Sequence, residues 1–340
     1  MPVRSWARVT GLVALLTAVL SLLLIAFAWP ATRSAPHGVP LAVAGAAPAV
    51  TQLGRQLEQA RPGAFDVLPV ADAAAARAAI EGRDVYGAVV LEPSGTTVLT
   101  ASAGSPVIAQ ALTQVAAELS RQSGTAVPVE DVVALPTADS RGAGLAAGAL
   151  PLALGGIVTA GLITRLVPGL ALRLAGVAGA AVAAGLALTA ILHGWLGALG
   201  GDYGALSAAV ALGLAAVAVP LVGLEALFGI AGLGVGAAAV MLLGNPLSGL
   251  TSAPEMLPPG WGVLGQLLPP GATGSLLRSV AFFDGAGAGG PLEVLACWLA
   301  VGLALCGIAV LAVRRRSGSE RLGAAERPGA AEPLTAATSP

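Results

Sequence analysis

The residues whose types and spacing could do chemistry are concentrated between residues 245 and 290, a stretch flanked by two long apolar runs. Its candidate polar and aromatic side chains are Asn245, Glu255, Trp261, Gln266 and Arg278. Its candidate prolines are Pro246, Pro254, Pro258, Pro259, Pro269 and Pro270. Proline lacks a backbone N–H and clashes with the preceding helical turn, so this stretch cannot cross a bilayer as one helix. Such a broken apolar segment is typical of a gate or of the lining of a transport path.

Two Pro-Pro-Gly triplets, residues 258–260 and 269–271, predict the local shape of this segment. Because proline fixes φ near about −65° and glycine permits a positive φ, each triplet should set a sharp reversal. The residues between them are expected to form a short half-helix at the outer leaflet, with Gln266 facing protein or water. The alternative is an interfacial loop that rests on lipid headgroups and is anchored by Trp261.

Bond-making chemistry is not indicated. The chain contains no Lys, so it cannot build a P-loop, whose Lys contacts the phosphates of a nucleotide. No apolar span holds a Ser/Lys, Asp/Asp or HExxH arrangement. We therefore predict no catalytic residues, no cofactor and no metal site, and we expect any ATP hydrolysis to belong to a partner protein.

The composition indicates a polytopic membrane protein. Hydrophobic residues make up 56% of the chain and charged residues 10%, whereas soluble domains carry about 25% charged residues. The predicted spans are residues 10–29, 144–164, 174–196, 203–224, 226–244 and 292–313. The first span could be a signal peptide, but it is too long for that, and Trp29-Pro30 makes a poor cleavage junction. An uncleaved anchor is the favoured interpretation.

The arginines set the predicted orientation, because cytoplasmic loops carry an excess of positive charge. With both termini in the cytoplasm, that face receives Arg4, Arg8, Arg165, Arg173 and Arg314–Arg316, and the short outer connections receive only Arg278.

The predicted location is a bacterial cell membrane, with residues 31–143 outside the cytoplasm. The predicted regions are 1–30 (N-terminus and first helix), 31–143 (outer domain), 144–313 (five-helix membrane domain with a broken hairpin at 245–290) and 314–340 (disordered cytoplasmic tail).

The outer region reads as a small α/β domain. The predicted strands are 41–45, 65–70, 86–91, 96–101 and 127–134, and the predicted helices are 46–59, 72–81 and 105–121. Asp72 is expected to cap the second of these helices by accepting from its first-turn amides. The polar residues show no metal-ligand spacing and no nucleophile–base pair, and His37 is expected in a surface loop.

The predicted fold class of the whole chain is an α-helical polytopic membrane protein with six transmembrane helices. It has a re-entrant hairpin before the last helix and a small extracytoplasmic α/β domain between helices 1 and 2.

Several blocks carry a resemblance to a known family. These are VPLAVAGAAPAV and GAFDVLPVADAAAARAAIEGRDVYGAVVLEP in the outer region, and NPLSGLTSAPEMLPPGW and GQLLPPGATGSLLRSVAFFDG in the broken segment. Together with the order of spans, they resemble the ABC-2-type transporter permease superfamily, and within it the YhgE/Pip-like bacterial membrane proteins. The resemblance covers most of residues 8–313.

This resemblance implies a permease-like subunit of an export system, energised by a separate ABC ATPase and working as a homo- or heterodimer in the lipid bilayer, with no nucleic-acid partner. It places the broken hairpin near the outer exit of the path. It also places an ATPase-facing loop at residues 164–173, which makes Arg165 and Arg173 candidate contact residues. Glu225, at the cytoplasmic junction of the fourth and fifth predicted spans, is the third candidate on that face. From the residues alone, Glu225 is either a solvated loop residue or a contact with a cytoplasmic partner.

Two other classes of function stay open. In the first, the chain is a non-transporting cell-surface protein whose outer domain binds a ligand, a cell-wall component or another protein. Five further spans and a broken hairpin exceed what anchoring requires, so this class ranks second. An intramembrane enzyme ranks last, because the spans lack the side-chain pairs that such enzymes use.

Overall fold

The computed structural model describes residues 2–325. Within that range, five helices are long and apolar enough to cross a membrane. They are α1 (Pro2–Thr32), α5 (Ala143–Leu166), α6 (Leu170–Thr189), α7 (Tyr203–Ala239) and α10 (Gly289–Ala325). A small α/β unit lies between α1 and α5 along the chain. The fold is therefore mostly helical with one sheet, as a membrane protein with a soluble-type insertion would have.

Helix α7 folds back on itself at Gly229, whose φ of 65° and ψ of −151° are not helical. Gly232 lies against the carbonyl of Leu224, and Gly236 lies against the side chain of Leu221. Gly236 follows Leu221 by 15 residues, and in a straight helix these two residues would be separated by about 22 Å. Their contact therefore shows that the chain reverses at Gly229. We call residues 203–228 the first limb and residues 230–244 the second limb. The break was predicted at Glu225 and falls at Gly229.

The second limb ends at Gly244, where the fifth predicted span also ends, and its last five residues, Val240–Gly244, form a π-helical turn that leads into the broken segment. Helix α10 continues past the predicted end of its span at Val313 and reaches Ala325. The first part of the predicted disordered tail is thus helical, and its remainder, residues 326–340, lies outside the described residues. The count of six transmembrane helices stays a prediction.

The α/β unit contains a five-stranded sheet within the described residues, in the order β2-β1-β3-β4-β5. The strands are β1 (Val39–Ala44), β2 (Phe65–Val70), β3 (Gly87–Glu92), β4 (Gly95–Thr100) and β5 (Val129–Asp131), and the helices are α2 (Ala47–Ala60), α3 (Ala73–Glu81) and α4 (Pro106–Ser123). Strand β1 pairs in parallel with β2 and β3, β3 pairs antiparallel with β4, and β4 pairs in parallel with β5.

Local sequence accounts for most of these elements. The Asp72 carboxylate accepts from the Ala75 amide at 2.8 Å, which confirms the predicted cap of α3. Ser105 caps α4 in the same way, by accepting from Ile108. The last strand is shorter than predicted, with three residues instead of a run to residue 134.

Both faces of the sheet are covered, and the broken segment completes both layers. On one face, Val43 and Val89 pack with the apolar sides of α2 and α4, and Ala253 and Met256 of the broken segment join this core. On the other face, Ile80 of α3 packs with the sheet, and Phe283 joins that core. The α/β unit is therefore seated on residues 253–283.

The broken segment itself consists of three short elements. A 3₁₀ turn spans Pro254–Met256, α8 spans Trp261–Gln266, and α9 spans Pro269–Phe282. Helix α8 is the predicted short half-helix, and Gly260 before it has the expected positive φ of 82°.

The second Pro-Pro-Gly triplet does not form a reversal, and that prediction is wrong. Pro269 and Pro270 occupy the first turn of α9, where the missing N–H leaves no helical hydrogen bond unmade. Gly271 lies inside α9, directly against the carbonyl of Gly265, so its lack of a side chain permits close approach of α8 and α9. The helices are separated by Leu267 and Leu268, and the backbone of Leu268 is extended.

A candidate binding chamber beside the broken segment

A cavity of about 670 Å³ lies between the α/β unit, the broken segment and the start of α10, and we call it the chamber. Its size is that of typical small-molecule sites. It lies at the amino-terminal ends of β1 and β3, because residues just before these strands line it. The polar residues that line it include His37, Arg83, Asp84, Tyr86, Glu255, Gln266, Ser275, Arg278 and Glu293.

Arg278 is the most buried charged side chain of the chamber, with 5% of its surface exposed. Its position on α9 places it beneath the α/β unit. Its Nη2 donates to the carbonyl of Leu250 at 3.3 Å. None of the ion pairs in residues 2–325 involves this arginine. A buried guanidinium is costly unless its charge and its donors are matched, so Arg278 presents largely unmatched positive charge to the chamber.

Arg83 joins the α/β unit to α9. It follows the end of α3 with a left-handed φ of 64°, a conformation uncommon for a residue other than glycine. Its Nη1 donates to the Ser275 carbonyl at 3.0 Å and to Ser279 Oγ at 2.5 Å. Its guanidinium also lies over the ring of Phe283, 5.3 Å from the centroid. Burial lowers the pKa of Arg83, and the negative charge of Glu255 opposes that effect.

Tyr86 and Glu255 form the second link between the α/β unit and the broken segment. The Tyr86 hydroxyl donates to Glu255 Oε2 at 2.7 Å. Burial raises the pKa of Tyr86, and the nearby carboxylate raises it further, so the phenol stays a proton donor. The Glu255 carbonyl also accepts from the backbone amide of His37 at 2.9 Å. His37 lies in a loop, as predicted, and its partly exposed side chain borders the chamber.

Gln266 forms part of the wall between α8 and α9. Its Nε2 donates to the Ser248 carbonyl at 2.9 Å, and its Oε1 accepts from Ser275 Oγ at 2.6 Å. Its side chain therefore contacts protein at the edge of the chamber, as the sequence predicted.

A second cavity, of about 490 Å³, lies on the other side of this wall, and we call it the apolar groove. It is lined by both limbs of α7 and by Leu268, Pro269, Pro270 and Trp298. Leu267, one residue earlier, lines the chamber instead. Trp298 Nε1 donates to the Leu267 carbonyl at 2.9 Å and ties α10 to the junction of α8 and α9. The two cavities are thus separated by one short junction.

The structure brings together most of the residues predicted for the broken segment. The chamber receives Pro254, Glu255, Pro258, Pro259, Gln266 and Arg278, and the apolar groove receives Pro269 and Pro270. Three predicted residues line neither cavity. Asn245 and Pro246 lie where the second limb ends, and Trp261 packs edge-on against Trp29 of α1, with ring centroids 5.3 Å apart.

The predicted ATPase-facing residues separate into two groups. Arg173 Nη1 pairs with Glu225 Oε2 at 2.7 Å, and Arg173 also donates to the carbonyls of Thr164 and Val167 at 2.7 and 2.9 Å. These carbonyls belong to the end of α5, which lacks helical donors of its own. Glu225 lies in the first limb of α7 and is not a solvated loop residue. Arg165 is exposed and takes no part in the pair.

Sequence reasoning missed Arg83 and Tyr86. Ligand sites on parallel sheets are expected at the carboxyl ends of the strands, whereas these two residues precede β3. Comparison with protein-family models, with curated proteins and with solved structures finds no match to this chain. Its function therefore has to be argued from its own residues.

Proposed function

We propose that the chain is a permease-like membrane subunit of an ABC-2-type export system, energised by a separate ATPase, and that the broken segment is its outer gate. The observation that carries this proposal is the placement of a polar chamber and an apolar groove on opposite sides of the junction at residues 266–270. A solute that passes from the membrane to the outside needs both environments in sequence.

The junction suits a gate because it interrupts the helical hydrogen-bond ladder, although the amides of Leu267 and Leu268 still donate to the carbonyls of Leu264 and Gly265. Pro269 and Pro270 have no N–H to donate, and Leu268 is extended between two helices. The bond from Trp298 to the Leu267 carbonyl closes the junction from the side of α10. In the open state that we propose, this tryptophan shifts and releases the Leu267 carbonyl, so that the junction can move.

The remaining parts of the proposal concern orientation and partners. Both termini lie in the cytoplasm, the α/β unit lies outside a bacterial cell membrane, and two permease subunits form a homo- or heterodimer. Arg173 and Glu225 neutralise each other's charge in an ion pair. Of the three predicted residues, Arg165 at the exposed end of α5 is therefore the best placed to contact an ATPase.

A second candidate function is a non-transporting surface protein that binds a ligand. The observation in its favour is that Arg83 and Tyr86 of the α/β unit line the chamber. In that function the chamber binds its ligand from outside, and the junction at residues 266–270 stays closed.

The two functions are separated by purifying the tagged full chain in mild detergent and identifying any P-loop ATPase that comes with it. The ATPase is then assayed alone and with the chain in proteoliposomes. The proposal expects the hydrolysis rate to change on reconstitution, and Arg165→Glu to reduce that change while Arg55→Glu, an exposed control in the α/β unit, does not. No ATPase in the purified sample and no effect on hydrolysis would favour the surface protein.

A further inference from the structure

The geometry points to an oxyanion-binding site in the chamber, formed by Arg278 and Arg83, that takes a phosphate group. The group belongs either to the headgroup of an anionic lipid or to a soluble phosphate ester. This inference names the substrate class for the proposed function and rests on that function only for its biological role, because the binding itself requires no ATPase.

Arg278 supplies the first part of the argument. A guanidinium carries five N–H donors, and within residues 2–325 Arg278 makes a single hydrogen bond, to the Leu250 carbonyl at 3.3 Å. The side chain is 5% exposed and borders the chamber. Its other donors border the chamber and a smaller cavity of about 130 Å³ beside Leu250, and they make no hydrogen bond to the described residues. Planar, charge-assisted binding of an oxyanion is what such a fork provides.

Arg83 supplies a second positive charge on the same cavity. Its two hydrogen bonds to α9 both come from Nη1, which leaves Nε and Nη2 without a bonded acceptor among the described residues. Two like charges that border one cavity destabilise each other. An anion between them would relieve this repulsion and engage donors that the protein leaves free.

The carboxylates of the chamber offset only part of this positive charge. Asp84 and Glu293 are exposed at its solvent side. Glu255 lies deeper, accepts from the Tyr86 hydroxyl, and its single negative charge acts on both Arg83 and Arg278. Of the ion pairs in the described part of the chain, none joins these three acids to Arg83 or Arg278. Among the non-exposed lining groups, two guanidiniums thus face the single carboxylate of Glu255.

The apolar groove favours a lipid as the source of the phosphate. It begins at Leu268, one residue beyond the chamber wall. A phospholipid whose headgroup reached Arg278 could lay its acyl chains along this groove once the junction at residues 266–270 opens, whereas a soluble ester would occupy the chamber alone.

Native mass spectrometry of the full chain, released from phosphatidylcholine nanodiscs, tests the site. The probes are phosphatidic acid and glycerol 3-phosphate. We expect phosphatidic acid to be retained, and Arg278→Gln and Arg83→Gln each to weaken retention about tenfold or more, since a hydrogen bond to a charged group contributes about 1.5–3 kcal/mol. Arg55→Gln, which changes an exposed arginine far from the chamber, should retain phosphatidic acid like the unchanged chain.

Competition by glycerol 3-phosphate identifies the source of the phosphate. Weak competition assigns the site to a lipid headgroup, and full competition assigns it to a soluble ester; both results support the oxyanion site. Absence of binding by either probe, or retention unchanged in both arginine variants, would overturn it. Size-exclusion chromatography shows whether each variant is folded. If Arg278→Gln aggregates, the retention of phosphatidic acid by Arg83→Gln, a change at a half-buried position, tests the site alone. Because no ATPase is present, failure of this site is distinguishable from failure of the export proposal.

Discussion

Tyr86 offers a sharp test of the contact between the α/β unit and the broken segment. Its pKa is raised by burial and by Glu255, so the folded protein holds the phenol proton more tightly than the unfolded chain does. The stabilisation is fully present below the unfolded pKa of about 10 and is lost as pH rises toward the raised folded value. Above pH 10 the loss amounts to about 1.4 kcal/mol per pH unit.

The chain has no Lys and two Tyr, but burial lowers the pKa of Arg83, and Arg278 and the two free cysteines also contribute in the alkaline range. The contribution of Tyr86 is therefore measured as the difference between Tyr86→Phe and the unchanged chain, both with Cys297 and Cys306 replaced by Ser. We expect Tyr86→Phe to flatten the decline in unfolding free energy between about pH 10 and pH 11.5. Near neutral pH the same variant should cost about 1.5–3 kcal/mol, because it removes a hydrogen bond to a carboxylate.

The assay is denaturant unfolding of the purified chain in detergent, followed at intervals of half a pH unit. Tyr203→Phe is the matched control, since that exposed hydroxyl donates to the Leu186 carbonyl, away from the chamber. The control should keep the alkaline decline of the unchanged protein. An equal decline in Tyr86→Phe would show that this phenol does not link the α/β unit to Glu255, and the reasoning would be refuted.

Three further predictions test separate parts of the structure. Arg173→Ala should lower the unfolding free energy by about 2–4 kcal/mol, because it leaves Glu225 and two carbonyls unmatched, while Arg165→Ala changes it by less than about 0.5 kcal/mol. Gly265→Ala should prevent normal folding, since the added Cβ would collide with the Leu247 carbonyl, whereas Gly307→Ala has open space and should fold normally by size-exclusion chromatography. In a chain with Cys297 and Cys306 replaced by Ser, Ser123→Cys should react with an impermeant thiol reagent on intact cells and Ser319→Cys should not; labelling at position 319 would contradict the orientation.

Local signals predicted much of the α/β unit. Asp72 and Ser105 act on amides three residues away, so their roles can be read from the sequence alone. The same holds for Gly260, which needs a positive φ at a turn. Apolar runs likewise revealed the long helices, because length and composition suffice for them.

The errors came from interactions between distant residues. Glu225 looked like a loop residue because a charge interrupts an apolar run, yet Arg173, 52 residues earlier, neutralises it. The true break at Gly229 carries no proline and no charge to mark it. The chamber depends on a contact between Arg83 and Ser279, 196 residues apart. No pattern within one segment could have indicated that contact.

The cores on the two faces of the sheet are closed by side chains that the α/β unit does not itself contain. Ala253 and Met256 fill one layer, and Phe283 fills the other. Sliding the α/β unit across the broken segment would open both layers to water at once, which the hydrophobic effect opposes. The shared cores therefore couple the two parts mechanically. A force applied to the α/β unit would be transmitted to the broken segment, and a displacement of α9 would in turn move the α/β unit through Arg83.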